Sequence, residues 1–306
     1  MSFRYRAFGL EIASAIAMPA LAPANSESVD VTVDVGPVSP EEAADAFRFR
    51  SWVARPGRLV LDIPGLARFE IVDGARIRIA PFTGVEPEDC AAHVQGSAMA
   101  ALLQQRSVLP LHAASIETDR GAVLVTGSSG VGKSTLLAGL LEHGFRLLCD
   151  DVTAARIDAR GEVHAVPAFP AMRIWRDSAE HFGHDVARLR QVRGELEKYY
   201  VPVARFRDEP QKIHAVVFLR SPHQTLAGLR KLPDPDRTSE LVRCGFRKNY
   251  LVGLGKRDLR FRTVAALDRQ ARLFVLRRPP QGSTPEDLAA QLAEGLGIAP
   301  GETIPA

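Results

Sequence analysis

The chain has 306 residues, 46% of them hydrophobic and 25% charged, and a formal net charge of +3. This is ordinary for a folded globular protein of one large or two smaller domains, and so small a net charge gives no argument for a nucleic-acid partner. Cys90, Cys149 and Cys244 are scattered, with no C-x-x-C pair, which points away from zinc sites and disulfide frameworks and fits a reducing, cytoplasmic setting.

The first residues, MSFRYRAFGLEIASAIAMPALAPANS, loosely resemble a secretory signal. Glu11 interrupts the apolar run, so the expectation is a strand or short helix packed on an N-terminal domain. No stretch is long and apolar enough to span a membrane. Val29, Val31, Val33 and Val35 alternate in VDVTVDV, and RLVLDIPG, ARFEIVDG and ARIRIAP are further short strands bounded by Gly or Pro. Residues 1–86 therefore read as a small β-rich domain. Residues 87–109 read as a bridging helix, opened by Pro87 with Glu88 and Asp89 in its first turn. Residues 110–306 read as a second, α/β domain.

The second domain begins with LHAASIET and AVLVTG flanking Asp119-Arg120-Gly121, a predicted hairpin that places His112 on a strand beside the next motif. That motif is Gly127-Ser128-Ser129-Gly130-Val131-Gly132-Lys133-Ser134, followed by Thr135. It fits G-x-x-x-x-G-K-[ST], in which backbone N–H groups cradle phosphates, the lysine reaches the β- and γ-phosphates, and the hydroxyl ligates Mg²⁺. The apolar run Ala122–Val125 precedes it as a buried strand. Leu136, Leu137, Leu140 and Leu141 follow as a helix stripe ending at Gly144. Nucleotide binding is the strongest inference from the sequence.

The next apolar strand, FRLLC, ends in Asp150 and Asp151. Two carboxylates beside a phosphate cradle can divide the labour, one orienting Mg²⁺ and one taking a proton from an incoming hydroxyl. Later strands are expected at EVHAV, HAVVFLR and RLFVLRR. A closing helix starts at Thr284-Pro285, with Leu288, Leu292 and Leu296 on one face. Trp175 reads as core. His181 and His184 lie close together, but nothing completes a metal site. Arg243, Arg247, Lys248, Lys256, Arg257, Arg260 and Arg262 form either a solvated basic face or a site for an anionic partner. No L-S-G-G-Q or N-K-x-D sequence occurs, which disfavours transport ATPases and small GTPases.

His112, the loop 127–134 with its Ser129, and the pair Asp150-Asp151 together resemble the catalytic domain of HPr kinase/phosphorylase. The resemblance covers 110–155 well and the rest of 100–280 loosely. It implies a P-loop kinase domain with a fold like that of phosphoenolpyruvate carboxykinase, ATP and Mg²⁺ as cofactors, a serine acceptor and, by family habit, a homo-oligomer. The family signature E-I-R-G-[LM]-G is replaced here by PAFPAMRIWRDS, in which only Arg173 has a counterpart. That departure argues against HPr as the acceptor. YRAFGLEIAS, PAFP with its Arg-aliphatic-Trp, and EKYYVPV more closely resemble the HPr kinase-like proteins of lasso peptide biosynthesis, whose implied substrate is the C-terminal serine of a precursor peptide.

On this reading Lys133 and the loop amides hold ATP, Ser134 and Asp151 hold Mg²⁺, and Asp150 is the general base, with exchange of the two aspartates left open. His112 orients Asp150 or the γ-phosphate. Arg173 supplies positive charge, with Lys198 and Arg243 as further candidates. A small-molecule kinase and a nucleotide-gated regulatory module remain as alternatives.

Overall fold

The computed structural model describes residues 2–194, 196–221, 227–279 and 282–301. It is a mixed α/β protein whose chain forms two compact units, Met1–Pro110 with Gly245–Arg262, and Leu111–Cys244 with Thr263–Ala306.

The first unit is built on a mostly antiparallel sheet, nine-stranded among the described residues, running from Phe3–Ala7 to Arg76–Pro81 in sequence. Each predicted strand forms. Val31–Val35 lies parallel to Arg76–Pro81, and Arg58–Ile63, Ala67–Val72 and Arg76–Pro81 are a meander. Alternation turns Phe69, Ile71, Ile77 and Ile79 inward, each fully buried. Pro87–Cys90 opens as a 3-10 turn and the helix continues to Gln105, with a π turn over Val94–Ala98. It belongs to this unit and packs on Ala67–Val72.

The segment Gly245–Arg262 also belongs here, although the sequence reading kept 110–306 together. Tyr250 stands edge-on to Trp52, with centroids 5.1 Å apart at 77°. Gly253 lies so close that a Cβ would come within 2.8 Å of the Ala54 Cβ. A sequence window does not contain such contacts, made across some two hundred residues.

In the second unit, Gly121–Thr126 lies between Ala113–Thr118, its antiparallel hairpin partner, and Gln211–Arg220, a parallel neighbour. Arg272–Arg277 continues the parallel set. Arg146–Cys149 pairs with the outer edge of Ala113–Thr118. Helix Lys133–Glu142 buries Leu136, Leu137 and Leu140 in a core shared with Val123, Val125, Leu147 and Leu292. Gly139 lets it approach the closing helix Pro285–Leu296, since a Cβ there would sit 2.7 Å from the Pro285 carbonyl oxygen. That closing helix carries a capping box between Thr284 and Asp287 and ends at left-handed Gly297. A separate three-stranded sheet is formed by Ala171–Trp175, Leu196–Pro202 and Arg190–Arg193.

Candidate functional site

Three chain segments converge at one end of the second unit's sheet. The hairpin register pairs Ala113 with Thr126, so the strand that ends at the glycine-rich loop lies beside the start of its partner. On the partner's other edge Ser115 pairs with Cys149 in the antiparallel sense. The residues after Cys149 therefore run alongside those before Ala113, and Asp150 and Asp151 arrive next to His112. The Thr126 hydroxyl donates to the His112 carbonyl at 2.8 Å, and the Thr153 hydroxyl to the Ala113 carbonyl at 2.8 Å, fixing both crossings. His112 sits one residue before the strand rather than within it.

Gly127–Gly132 links this strand to helix Lys133–Glu142. Gly130 and Gly132 have φ of 79° and 105° and open space where a Cβ would stand, so the loop presents bare backbone. Ser128, Ser129 and Gly130 are exposed, while Val131 packs on the core. Lys133 is buried; its ammonium donates to the carbonyls of Gly127 and Ser128 at 2.9 and 3.1 Å. Burial lowers its pKa, and Asp151 works against that shift.

The Ser134 hydroxyl donates to Asp150 at 3.3 Å, and the other Asp150 oxygen accepts the Arg173 backbone N–H at 2.9 Å. The Arg173 guanidinium lies 3.8 Å from Asp150 and 3.3 Å from Asp151. His112 Nδ1 is 3.5 Å from an Asp151 carboxylate oxygen and 3.2 Å from the Asp151 carbonyl oxygen. Thr135 and Ser178 exchange a hydrogen bond at 3.3 Å.

The two aspartates differ in environment. Asp150 has a side chain only 3% exposed, and burial pushes its pKa up, with Arg173 opposing. Asp151 is 28% exposed. Burial would raise its pKa too, but Arg173, His112, Lys198 and Lys133 together bring it below the usual value. His112 is shifted down by burial, which keeps a neutral imidazole at neutral pH.

All of His112, Lys133, Ser134, Asp150, Asp151 and Arg173 thus meet in one place. Lys198 joins them electrostatically, as its charge reaches Lys133, His112 and both aspartates. Arg243 does not; its guanidinium is mostly exposed and lies on Glu240 at 3.1 Å. Trp175 is not core but 47% exposed. The pleat explains the difference, since Met172 and Ile174 face inward and Trp175 shares the outer side with Arg173. Sequence reasoning also missed Tyr200, paired across strands with Arg173. Its signal was the alternation in KYYVP, which buries Tyr199 and Val201. His181 contacts Glu286 at 3.1 Å. Among the described residues the one cluster with metal-like spacing is Asp158, Glu162 and His164, where Glu162 is held by Lys212 at 2.5 Å.

No helix among the described residues is long and apolar enough to cross a membrane. No family model matches the chain, and no curated protein matches it. Among solved structures, the Hpr(Ser) kinase/phosphatase from Coxiella burnetii is similar at 21% identity with a TM-score of 0.26, over 40% of this chain and 76% of that one.

Proposed function

We propose that the chain is an ATP- and Mg²⁺-dependent phosphotransferase that passes a γ-phosphate to a serine hydroxyl of a peptide or protein. The observation that carries this is the 3.3 Å contact between Ser134, at the start of the loop helix, and Asp150, beside Asp151 and Arg173. A hydroxyl and a carboxylate at that spacing form a hard-oxygen donor set suited to Mg²⁺. The bare amides of the glycine loop and the first turn of the helix suit polyphosphate. The ion would lower the charge on the phosphates when bound.

The Ser134 contact favours Asp150 as the metal-side carboxylate, the exchanged form of the assignment with Asp150 as base and Asp151 as ligand. Asp150 faces Ser134 and the Arg173 amide with its side chain 3% exposed, so it is the less accessible of the two carboxylates to a bulky acceptor. Asp151, at 28% the more exposed of the two, with a lowered pKa and His112 3.5 Å away, is the better-supported acceptor for the hydroxyl proton. Lys133 and Arg173 carry the positive charge that phosphoryl transfer demands, and Arg173 also fixes both carboxylates.

The resemblance to lasso peptide kinases makes the C-terminal serine of a precursor peptide the first acceptor to try. Titration of ATP into Asp150→Asn and Asp151→Asn, with and without Mg²⁺, tests the division of roles. Loss of the Mg²⁺-dependent part of ATP affinity in Asp150→Asn alone supports it. The same loss in Asp151→Asn alone restores the original assignment.

A further inference from the structure

The three-stranded sheet beside the loop has two unlike faces. Met172, Ile174, Tyr199 and Val201 are buried. The pleat sends Arg173, Trp175, Lys198 and Tyr200 to the opposite side. The register sets Trp175 across from Lys198, and Tyr200 between Arg173 and Arg190. A register shift pairs Arg193 with Leu196, which alternates onto the same side as Lys198 and Tyr200. The Lys198 ammonium rests 5.8 Å from the centroid of the Trp175 ring.

This face carries more positive charge than the site consumes. Arg173 is matched by Asp150 and Asp151. Nearby Arg176 and Arg188 have acidic partners, Glu197 at 3.0 Å and Asp185 at 3.1 Å. Arg190 and Arg193 are exposed and make no ion pair among the described residues. Their strand pairs with one neighbour only among the described residues, leaving an outer edge of N–H and C=O groups. Strands lie about 4.8 Å apart, so the Arg190 row stands roughly 10 Å from Arg173, the reach of about three extended residues.

We infer that this aromatic and cationic face is the acceptor-docking platform, and that it takes an extended peptide bearing carboxylates within about three residues of the reacting hydroxyl. The inference rests on the phosphotransfer reading above. A small acceptor would use neither a strand edge nor cations spread over that length, whereas an acidic peptide uses both. Trp175 supplies a flat apolar surface for the peptide's side chains, and Arg190 and Arg193 supply forks for its carboxylates.

The protein's two tryptophans give the test a built-in reporter. Trp175 is 47% exposed and open to acrylamide, whereas Trp52 is 6% exposed. The probes are a synthetic peptide with one serine flanked by aspartates, its twin with asparagines, ATP alone, and a single-stranded oligonucleotide. The aspartate peptide should protect Trp175 from quenching, the twin should not, and Arg190→Gln with Arg193→Gln should weaken that protection at least about tenfold. No protection by the aspartate peptide, or equal protection by the twin, overturns the proposal. So does stronger protection by ATP, which would make Trp175 a seat for the base, or by the oligonucleotide. Phosphate transfer to the same peptide is followed in parallel with Lys133→Ala. Protection without any Lys133-dependent transfer keeps the docking platform and sinks the kinase reading instead.

Discussion

Two buried carboxylates, Glu41 in the first unit and Asp150 in the second, are treated in opposite ways. In the first unit Glu41 accepts from Arg58 at 2.6 Å, from Arg55 at 3.1 Å and from the Ala43 N–H at 3.1 Å. Burial alone would raise its pKa, but these partners together lower it to about 2. In the second unit Asp150 has Ser134, the Arg173 amide and a guanidinium at 3.8 Å, and burial wins. Glu41 is a structural anchor whose charge is satisfied. Around Asp150 the partners do not offset burial, the pattern that the proposed metal-side role calls for.

The largest effect that separates the two regions is catalytic. Lys133→Ala should lower phosphate transfer by about 10³-fold or more in a labelled-ATP assay, because charge on the transferring group is then unmatched. Asp151→Asn should lower turnover by roughly 10²–10⁴-fold at nearly unchanged KM for ATP, as loss of a proton acceptor does. No change in either variant would remove the site from the chemistry.

Stability effects come next and run in opposite directions for the two carboxylates. Since Glu41 falls from an ordinary 4.5 to about 2 on folding, its contribution is complete above about pH 4.5 and is lost as pH falls towards 2. Urea unfolding followed by tryptophan fluorescence in a Trp175→Phe background, where Trp52 alone reports, should show Glu41→Gln destabilised at neutral pH, with a smaller further loss on acidification than the parent. Asp150, with its pKa raised, disfavours the folded state above its ordinary pKa. Asp150→Asn should therefore unfold at the same temperature as the parent or slightly above it. A marked drop there would place Asp150 with Glu41 as an anchor.

Much of the site is local in sequence and hence legible there. Strand, glycine loop and helix follow one another from Ala122 to Glu142, and the aspartates end the next strand. Arg173 was found through one short motif. Trp175 reads as core by its type, yet it falls on the outward phase of the alternation Met172-Arg173-Ile174-Trp175. Lys198 was a candidate by charge alone, and the alternation in KYYVP puts Tyr200 on its side of the strand, but their approach to Arg173 and Trp175 comes from cross-strand register, which lies outside any one window. The placement of Gly245–Arg262 depends on packing against Trp52, and long-range packing of that kind leaves no periodic trace.

The most direct test of the central claim is intact-mass spectrometry of a serine-ending lasso precursor peptide after incubation with the protein, ATP and Mg²⁺. The account predicts a gain of one phosphoryl group on that peptide, absent with Lys133→Ala and absent without Mg²⁺. A gain that persists in Lys133→Ala, or no gain on any serine peptide while ATP is still consumed, would contradict it.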